Sequence, residues 1–516
     1  MAHESRIGQA IFGVTGIVVL SKLLGFAREM VIADRFGTSW EYDLLLLGMA
    51  APVFVNLILV NSTNLLIVPS LTRVKAETDS VAYHRALWRI YSTLLVISFI
   101  LTLAVMLLSP FLVRVIAPQI APENYSQAEL YCRLFALLIF LGFSESYLRS
   151  ALNIEKNFLY PAAGTVVMNI VAIAVIYFFS ERLSVMAIVV GLLSGAFLQV
   201  LYLFRKLVGI KGVIHIKAEF FGENFRNVIS VGSAVIAVEI FSRTYFLIDR
   251  YYASGMESGV VSALNYCSML VMLPVNIIAF AVTAVTFPFL SERASGEAAA
   301  SFSSLLKTTL RLLLALGIPC ALFYGLFSRE LVTAVFYRGA FDNQSLELTS
   351  RILVYLAPYL LSVFLYAVLI QACYASGRQK IVLVLAVAAM TLKFVLAGFL
   401  SDNLGFIGIP LSSSIVQAAM VAALITVLAA DRKIELDRSF GEVFFKTIVA
   451  SLPIILLAIL YQQIFTGDDA GSILYRYRIL PAMLITIILY LIIGKALKLP
   501  ESSKIWEMLR AVGKTR

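Results

Sequence analysis

The sequence predicts an all-α polytopic membrane protein of about fourteen transmembrane helices, and three observations predict it. Of the 516 residues, 60% are hydrophobic and 14% charged, with a mean hydropathy of +0.91, whereas soluble domains are only about 45–50% apolar. Fourteen apolar runs approach the roughly 20 residues that cross a hydrocarbon core. Lys and Arg, finally, are sorted between alternate loops.

The first six runs lie at about 9–33, 43–69, 89–113, 130–150, 159–180 and 184–204. The longest polar connection, Arg205 to Arg226, follows them. Six more runs lie at about 227–250, 262–290, 308–327, 351–374, 380–400 and 406–429, and a last pair at about 444–465 and 477–494. The chain is therefore divided into an N-terminal lobe (1–205), a cytoplasmic linker (206–226), a C-terminal lobe (227–430), and a final part (431–516) holding two helices and a tail.

Of the 41 Lys and Arg, 27 fall on the side that carries both termini, 10 on the other, and four inside helices. Cytoplasmic loops collect cations, so both termini are predicted to be cytoplasmic. The net charge of +10 has the same source and does not call for nucleic acid. No cleavage site follows MAHESRIG, so the first helix is expected to stay in the mature protein.

The intramembrane cations are Lys22, Arg28, Arg243 and Lys393. Such a charge costs roughly 2.5–3.5 kcal/mol near the bilayer centre and usually faces a water-filled cavity or a partner. Aligning Asp34-Arg35-Phe36 with Asp249-Arg250-Tyr251 sets Arg28 opposite Arg243. Pro69-Ser70-Leu71 then matches Pro288-Phe289-Leu290, and six helices separate the copies, as in parallel transporter repeats. Pro52 and Pro274 are predicted to kink corresponding helices.

Lys22, Arg28 and Arg243 form a candidate cradle for phosphate, because Arg donates bidentate bonds and Lys adds a point charge. The alternative is internal pairing, since Glu29 follows Arg28 and Glu239 lies one turn before Arg243. Asp43 starts the second run beside them. Asn56, Asn61 and Asn265 suit sugar hydroxyls, and equally suit bonds between helices. Lys393 and Glu239 are paired as a structural bridge or a coupling element. Cys132, Cys267, Cys320 and Cys373 sit in apolar runs without metal spacing, as small core residues do. With no nucleophile elbow, phosphate-binding loop or metal cluster, neither catalysis, a cofactor nor a metal is expected. A cation-coupled drug exporter would have an acidic cavity, and a pure scaffold would tolerate reversal of these charges.

SKLLGFAREMVIADRFG (21–37), the following Tyr42-Asp43, and Pro69 resemble the MurJ/MviN-type lipid II flippases of the multidrug/oligosaccharidyl-lipid/polysaccharide exporter superfamily. So do Leu273-Pro274 through Phe287-Pro288-Phe289-Leu290-Ser291, and Arg338-Gly339 with Phe341. The resemblance implies two six-helix lobes around a cavity that opens alternately to either side of a bacterial inner membrane. The implied cargo is an undecaprenyl-diphosphate-linked saccharide, with membrane lipid and cell-wall synthesis proteins as partners. Arg28 matches a cavity arginine of the family, Glu29 replaces an aspartate, Lys22 replaces an arginine, and Asp43 matches an aspartate. The helix 2 arginines are absent around Asn56 to Asn61, and helix 8 reads Tyr266-Cys267-Ser268-Met269 where the family has Tyr-Ala-Asp-Arg. Those departures leave a flippase for another prenyl-linked glycan open.

Overall fold

The computed structural model of the chain describes residues 2–211, 223–294, 299–431, 433–434, 438–464, 477, 479–499 and 501. Among them there is no strand. The helices are α1 (Ala2–Phe36), α2 (Trp40–Gly48), α3 (Ala50–Glu77), α4 (Ser80–Ile116), α5 (Tyr125–Ile154), α6 (Leu159–Leu183), α7 (Met186–Lys211), α8 (Glu223–Ala253), α9 (Val260–Pro274), α10 (Phe280–Ala294), α11 (Ala299–Leu326), α12 (Ser328–Phe336), α13 (Asn343–Ala375), α14 (Gln379–Leu404), α15 (Gly408–Ala430), α16 (Arg438–Ile464) and α17 (Ile479–Ala496).

Every apolar run falls on one of these helices, or on two where a run is broken. Ten stretches of the described residues are long and apolar enough to cross a membrane, or eleven with a bent pair counted as one span. Residues 379–430 form one such stretch, although a short turn at Gly405–Ile407 separates α14 from α15. The nine-residue α12 has no counterpart among the predicted runs; it carries Arg329 and Glu330 and is too short to register as a span.

The helix is irregular at both expected positions, with a measured bend at the first. The run at 43–69 is split into α2 and α3, which meet at 46°. Pro52 stands in the first turn of α3, where it cannot donate to a carbonyl of α2. The run at 262–290 is interrupted by a π turn, Val275–Ala279, directly after Pro274. Side-chain caps fix several starts: Asp79 accepts from the Ala82 amide at 2.6 Å before α4, and Asp342 accepts from Ser345 at 2.8 Å before α13. Such caps satisfy amides that have no carbonyl partner in the helix.

Two compact units are present, Met1–Ser262 with Arg338–Phe341, and Ala263–Tyr337 with Asp342–Arg516. In the first, α6 packs on α1 and α7, α5 packs on α3, α4 and α7, and α8 packs on α3. Its apolar centre joins Leu71, Leu87, Trp88, Tyr147, Leu152 and Leu203. The stacked rings of Tyr91 and Tyr147 lie 5.0 Å apart, and the Tyr147 hydroxyl donates to the Leu87 carbonyl at 2.5 Å. The helix α8, which the sequence places after the linker, thus belongs to the first unit. Residues 212–222 of that linker and the tail from 502 lie outside the described residues.

The segment Arg338–Phe341 joins the first unit through Gly339. At φ +52°, a Cβ here would lie 2.2 Å from the Asp34 carbonyl oxygen, and the next amide, Ala340, donates to that oxygen at 2.7 Å. Only glycine allows both the left-handed backbone and the close approach.

In the second unit α13 packs on α11 and α15, α14 on α15, and α16 on α11 and α17. Phe323 and Phe327 of the α11 end meet Ile454 and Tyr461 of α16. The Tyr490 hydroxyl of α17 donates to the Ala315 carbonyl at 2.6 Å.

Candidate substrate site

On α1, Arg28 and Glu29 are half-buried neighbours, with Arg28 Nη2 donating to Glu29 Oε1 at 2.7 Å. The other terminal nitrogen, Nη1, donates to Oδ1 of Asn169 on α6 at 3.3 Å. Asn169 is only 4% exposed. Its Nδ2 donates to the carbonyls of Thr165 at 3.0 Å and Ser21 at 3.4 Å, so one amide ties α6 to both the backbone and the arginine of α1. Sequence reasoning missed Asn169; the signal was a single amide in the apolar segment TVVMNIV. Arg28 Nε is buried without a partner among the described residues. Lys22 is exposed, and no partner for it is found among them.

The second cluster lies on α3 and α8. Arg243 Nε and Glu239 Oε2 are 3.3 Å apart, and Asn61 Nδ2 of α3 donates to the same oxygen at 3.0 Å. Asn61, a separate candidate in the sequence, therefore joins the Glu239–Arg243 pair expected from helical spacing in one polar chain. Asn56, one turn and a residue before Asn61, has its Oδ1 buried without a partner among the described residues. It faces Gly142 of α5, where an added Cβ would lie 2.2 Å from that oxygen.

Pairing thus describes both arginines, yet it does not exhaust them. A guanidinium has five N–H donors, and Glu239 engages only the Nε of Arg243. With side-chain exposures of 41% and 23%, that pair is of the partly solvated kind worth about 0–1 kcal/mol.

Asp43 is placed differently from the other candidates. Its two oxygens accept the backbone amides of Gly259 at 2.6 Å and Ser262 at 2.7 Å. It caps α9 from a distance of 216 residues in sequence, and a carboxylate at a helix start is favoured by the helix dipole. Nearby Arg250, counted in the sequence among loop cations, is 4% exposed. It donates to the Val261 carbonyl at 2.7 Å and lies 4.9 Å from the centre of the Phe246 ring.

In the second unit, Asn265 is half-buried on α9. Lys393 is fully buried on α14, with its ammonium on three oxygens of α15, those of Ile409, Ser412 and Ser413. No cluster of His, Cys, Asp or Glu suited to a metal is found among the described residues.

Comparison with known proteins agrees with this architecture. The family model described as Lipid II flippase MurJ matches residues 32–476. The chain is 23% identical over 474 residues to the "Probable lipid II flippase MurJ" of Buchnera aphidicola subsp. Acyrthosiphon pisum, covering 90% of this chain and 92% of that one. It is 25% identical over 397 residues to the "Lipid II flippase MurJ" of Burkholderia cenocepacia, covering 74% and 76%. Among solved structures, "Lipid II flippase MurJ, inward closed conformation" superposes with a TM-score of 0.77 at 20% identity, over 94% of this chain and 98% of that one. A multidrug resistance MATE family transporter of the MOP superfamily gives 0.64 at 16% identity, over 82% and 98%. These superpositions show the fold, and the match of the family model over most of the length shows that the chain belongs to the Lipid II flippase MurJ family.

Proposed function

We propose that the chain is a lipid II flippase, moving the undecaprenyl-diphosphate-linked peptidoglycan precursor from the inner to the outer leaflet of a bacterial inner membrane by alternating access. The observation that carries this reading is the family match over residues 32–476. The charges retained inside the apolar helices α1 and α8 support it, because an anionic headgroup needs cations within a low-dielectric path.

In this proposal fourteen helices cross the membrane, with both termini cytoplasmic. Lys22, Arg28 and Arg243 receive the diphosphate, Asn56 and Asn61 meet the saccharide, and the prenyl chain stays in lipid. The anion exchanges for the carboxylates of Glu29 and Glu239 at the arginines, so each acid keeps its cation oriented between cycles. An inside-negative potential favours outward movement of the headgroup by about 2.3 kcal/mol per charge per 100 mV, which supplies direction without a catalytic step.

The test is growth of a strain depleted of its lipid II flippase. Expression of this chain should restore growth and outward movement of the precursor. Normal expression in the membrane without rescue, where a MurJ control rescues, would overturn the assignment, and rescue of an O-antigen or exopolysaccharide flippase deficiency instead would redirect it to another prenyl-linked glycan.

A further inference from the structure

Asn169 stands in the interior of the first unit, 4% exposed, and the two ends of its amide are not interchangeable. Nδ2 faces the carbonyls of Thr165 at 3.0 Å and Ser21 at 3.4 Å, which only accept. Oδ1 faces Nη1 of Arg28 at 3.3 Å, which only donates. Contacts from both α1 and α6 therefore agree on one orientation, with the oxygen toward the arginine.

The residue that carries this amide is anchored in turn. The Thr165 hydroxyl donates to the Pro161 carbonyl at 3.2 Å, and accepts from Nη2 of Arg149 on α5 at 3.3 Å and Nε2 of Gln199 on α7 at 3.4 Å. Gln199, itself 4% exposed, also donates to Glu145 of α5 at 3.1 Å. Glu29, the other partner of Arg28, has no such support: among the described residues its carboxylate meets Arg28 alone. Asn169 is thus the fixed reference for the guanidinium, and Glu29 the movable one. Being neutral, the amide orients the arginine without cancelling its charge. Fixing a rotamer-rich side chain before a ligand arrives removes an ordering cost from binding.

We propose that Asn169 is the positioning residue of Arg28: its Oδ1 keeps hold of Nη1 while Nη2 passes between Glu29 and the diphosphate of the cargo. This rests on the reading of the cargo as a lipid-linked diphosphate, and concerns the first unit alone.

The experiment titrates the purified full-length protein in lipid nanodiscs with undecaprenyl diphosphate, a probe that carries the diphosphate and no sugar. Dissociation constants and melting temperatures are measured for wild type, Asn169→Leu, Arg28→Ala and the double variant. Asn169→Leu, close in size to the amide, should weaken binding by about three- to tenfold, the ordering cost of one long side chain. It should raise the apparent KM for a fluorescent lipid II analogue in proteoliposomes by the same factor, with the maximal rate little changed. In the Arg28→Ala background the same substitution should weaken binding no further, because residues that act through one another are not additive. A merely structural tie between α1 and α6 would instead cost binding equally in both backgrounds. Asn169→Ser, carried through the same cycle, decides the matter where the leucine variant does not fold.

The proposal is overturned if the Asn169 variants bind the probe as wild type does, if their loss persists in the Arg28→Ala protein, or if neither variant gives folded protein. It is overturned together with the diphosphate cradle if wild type does not bind the probe, or if Arg28→Ala alone leaves binding unchanged. The expected binding pattern in a protein that does not rescue a lipid II flippase deficiency would reject lipid II as the cargo and leave the role of Asn169 standing.

Discussion

Asn61 of α3 and Glu239 of α8 are joined by a hydrogen bond of 3.0 Å across 178 residues of sequence, and the same carboxylate oxygen holds Arg243. The amide thus orients the acid that orients the cation. Interhelical bonds of this kind average about 0.6 kcal/mol in membrane proteins. A double-mutant cycle with Asn61→Ala and Glu239→Ala should show coupling of about that size in denaturant unfolding, and strict additivity would remove the link.

Arg28→Ala and Arg243→Ala should each slow movement of a fluorescent lipid II analogue in proteoliposomes by about ten- to a hundredfold, the equivalent of a charge-assisted hydrogen bond worth about 1.5–3 kcal/mol. Lysine at either position should recover part of the rate, since it restores charge without the planar fork. Wild-type rates from normally inserted alanine variants would count against the diphosphate cradle.

Asp43→Ala leaves the Gly259 and Ser262 amides without their acceptors, and should lower stability by about 1–2 kcal/mol in the manner of a lost N-cap. Asp43→Asn keeps one acceptor and should fall between the two. Melting temperatures of the three proteins decide it; equal values would mean that water replaces the carboxylate.

Gly339→Ala sets a Cβ 2.2 Å from the Asp34 carbonyl at positive φ, and should destabilise by about 1–3 kcal/mol. Gly441→Ala, on α16 with nothing within 4 Å of the added carbon, should instead stabilise by about 0.5–1 kcal/mol. Opposite shifts in unfolding temperature are the expected result.

Local chemistry was the legible part of this chain. The breaks at Pro52 and Pro274 follow from a missing amide hydrogen, and the Glu239–Arg243 pair follows from helical spacing, so both could be read from a few neighbouring residues. Asn169, the cap from Asp43 to Gly259, and the burial of Arg250 depend on partners that only packing brings near, and a single amide in an apolar helix or a charge at a helix end does not announce them. Lys393 was visible as a costly charge, whereas the oxygens of Ile409, Ser412 and Ser413 around it were not, because two of them belong to a serine run that reads as ordinary helix surface.

The π turn at Val275–Ala279 amounts to one residue more than an α-helical ladder accommodates. Each residue of an α-helix turns the chain by about 100°, so this surplus sets the angular phase of α10 relative to α9. The face that α10 lays against α13 exists in its present form only because of that offset. Deleting a single residue from the turn would leave the composition of both helices almost untouched while rotating Thr283, Thr286 and Leu290 away from their buried positions; in this stretch, length conveys information that residue identity does not.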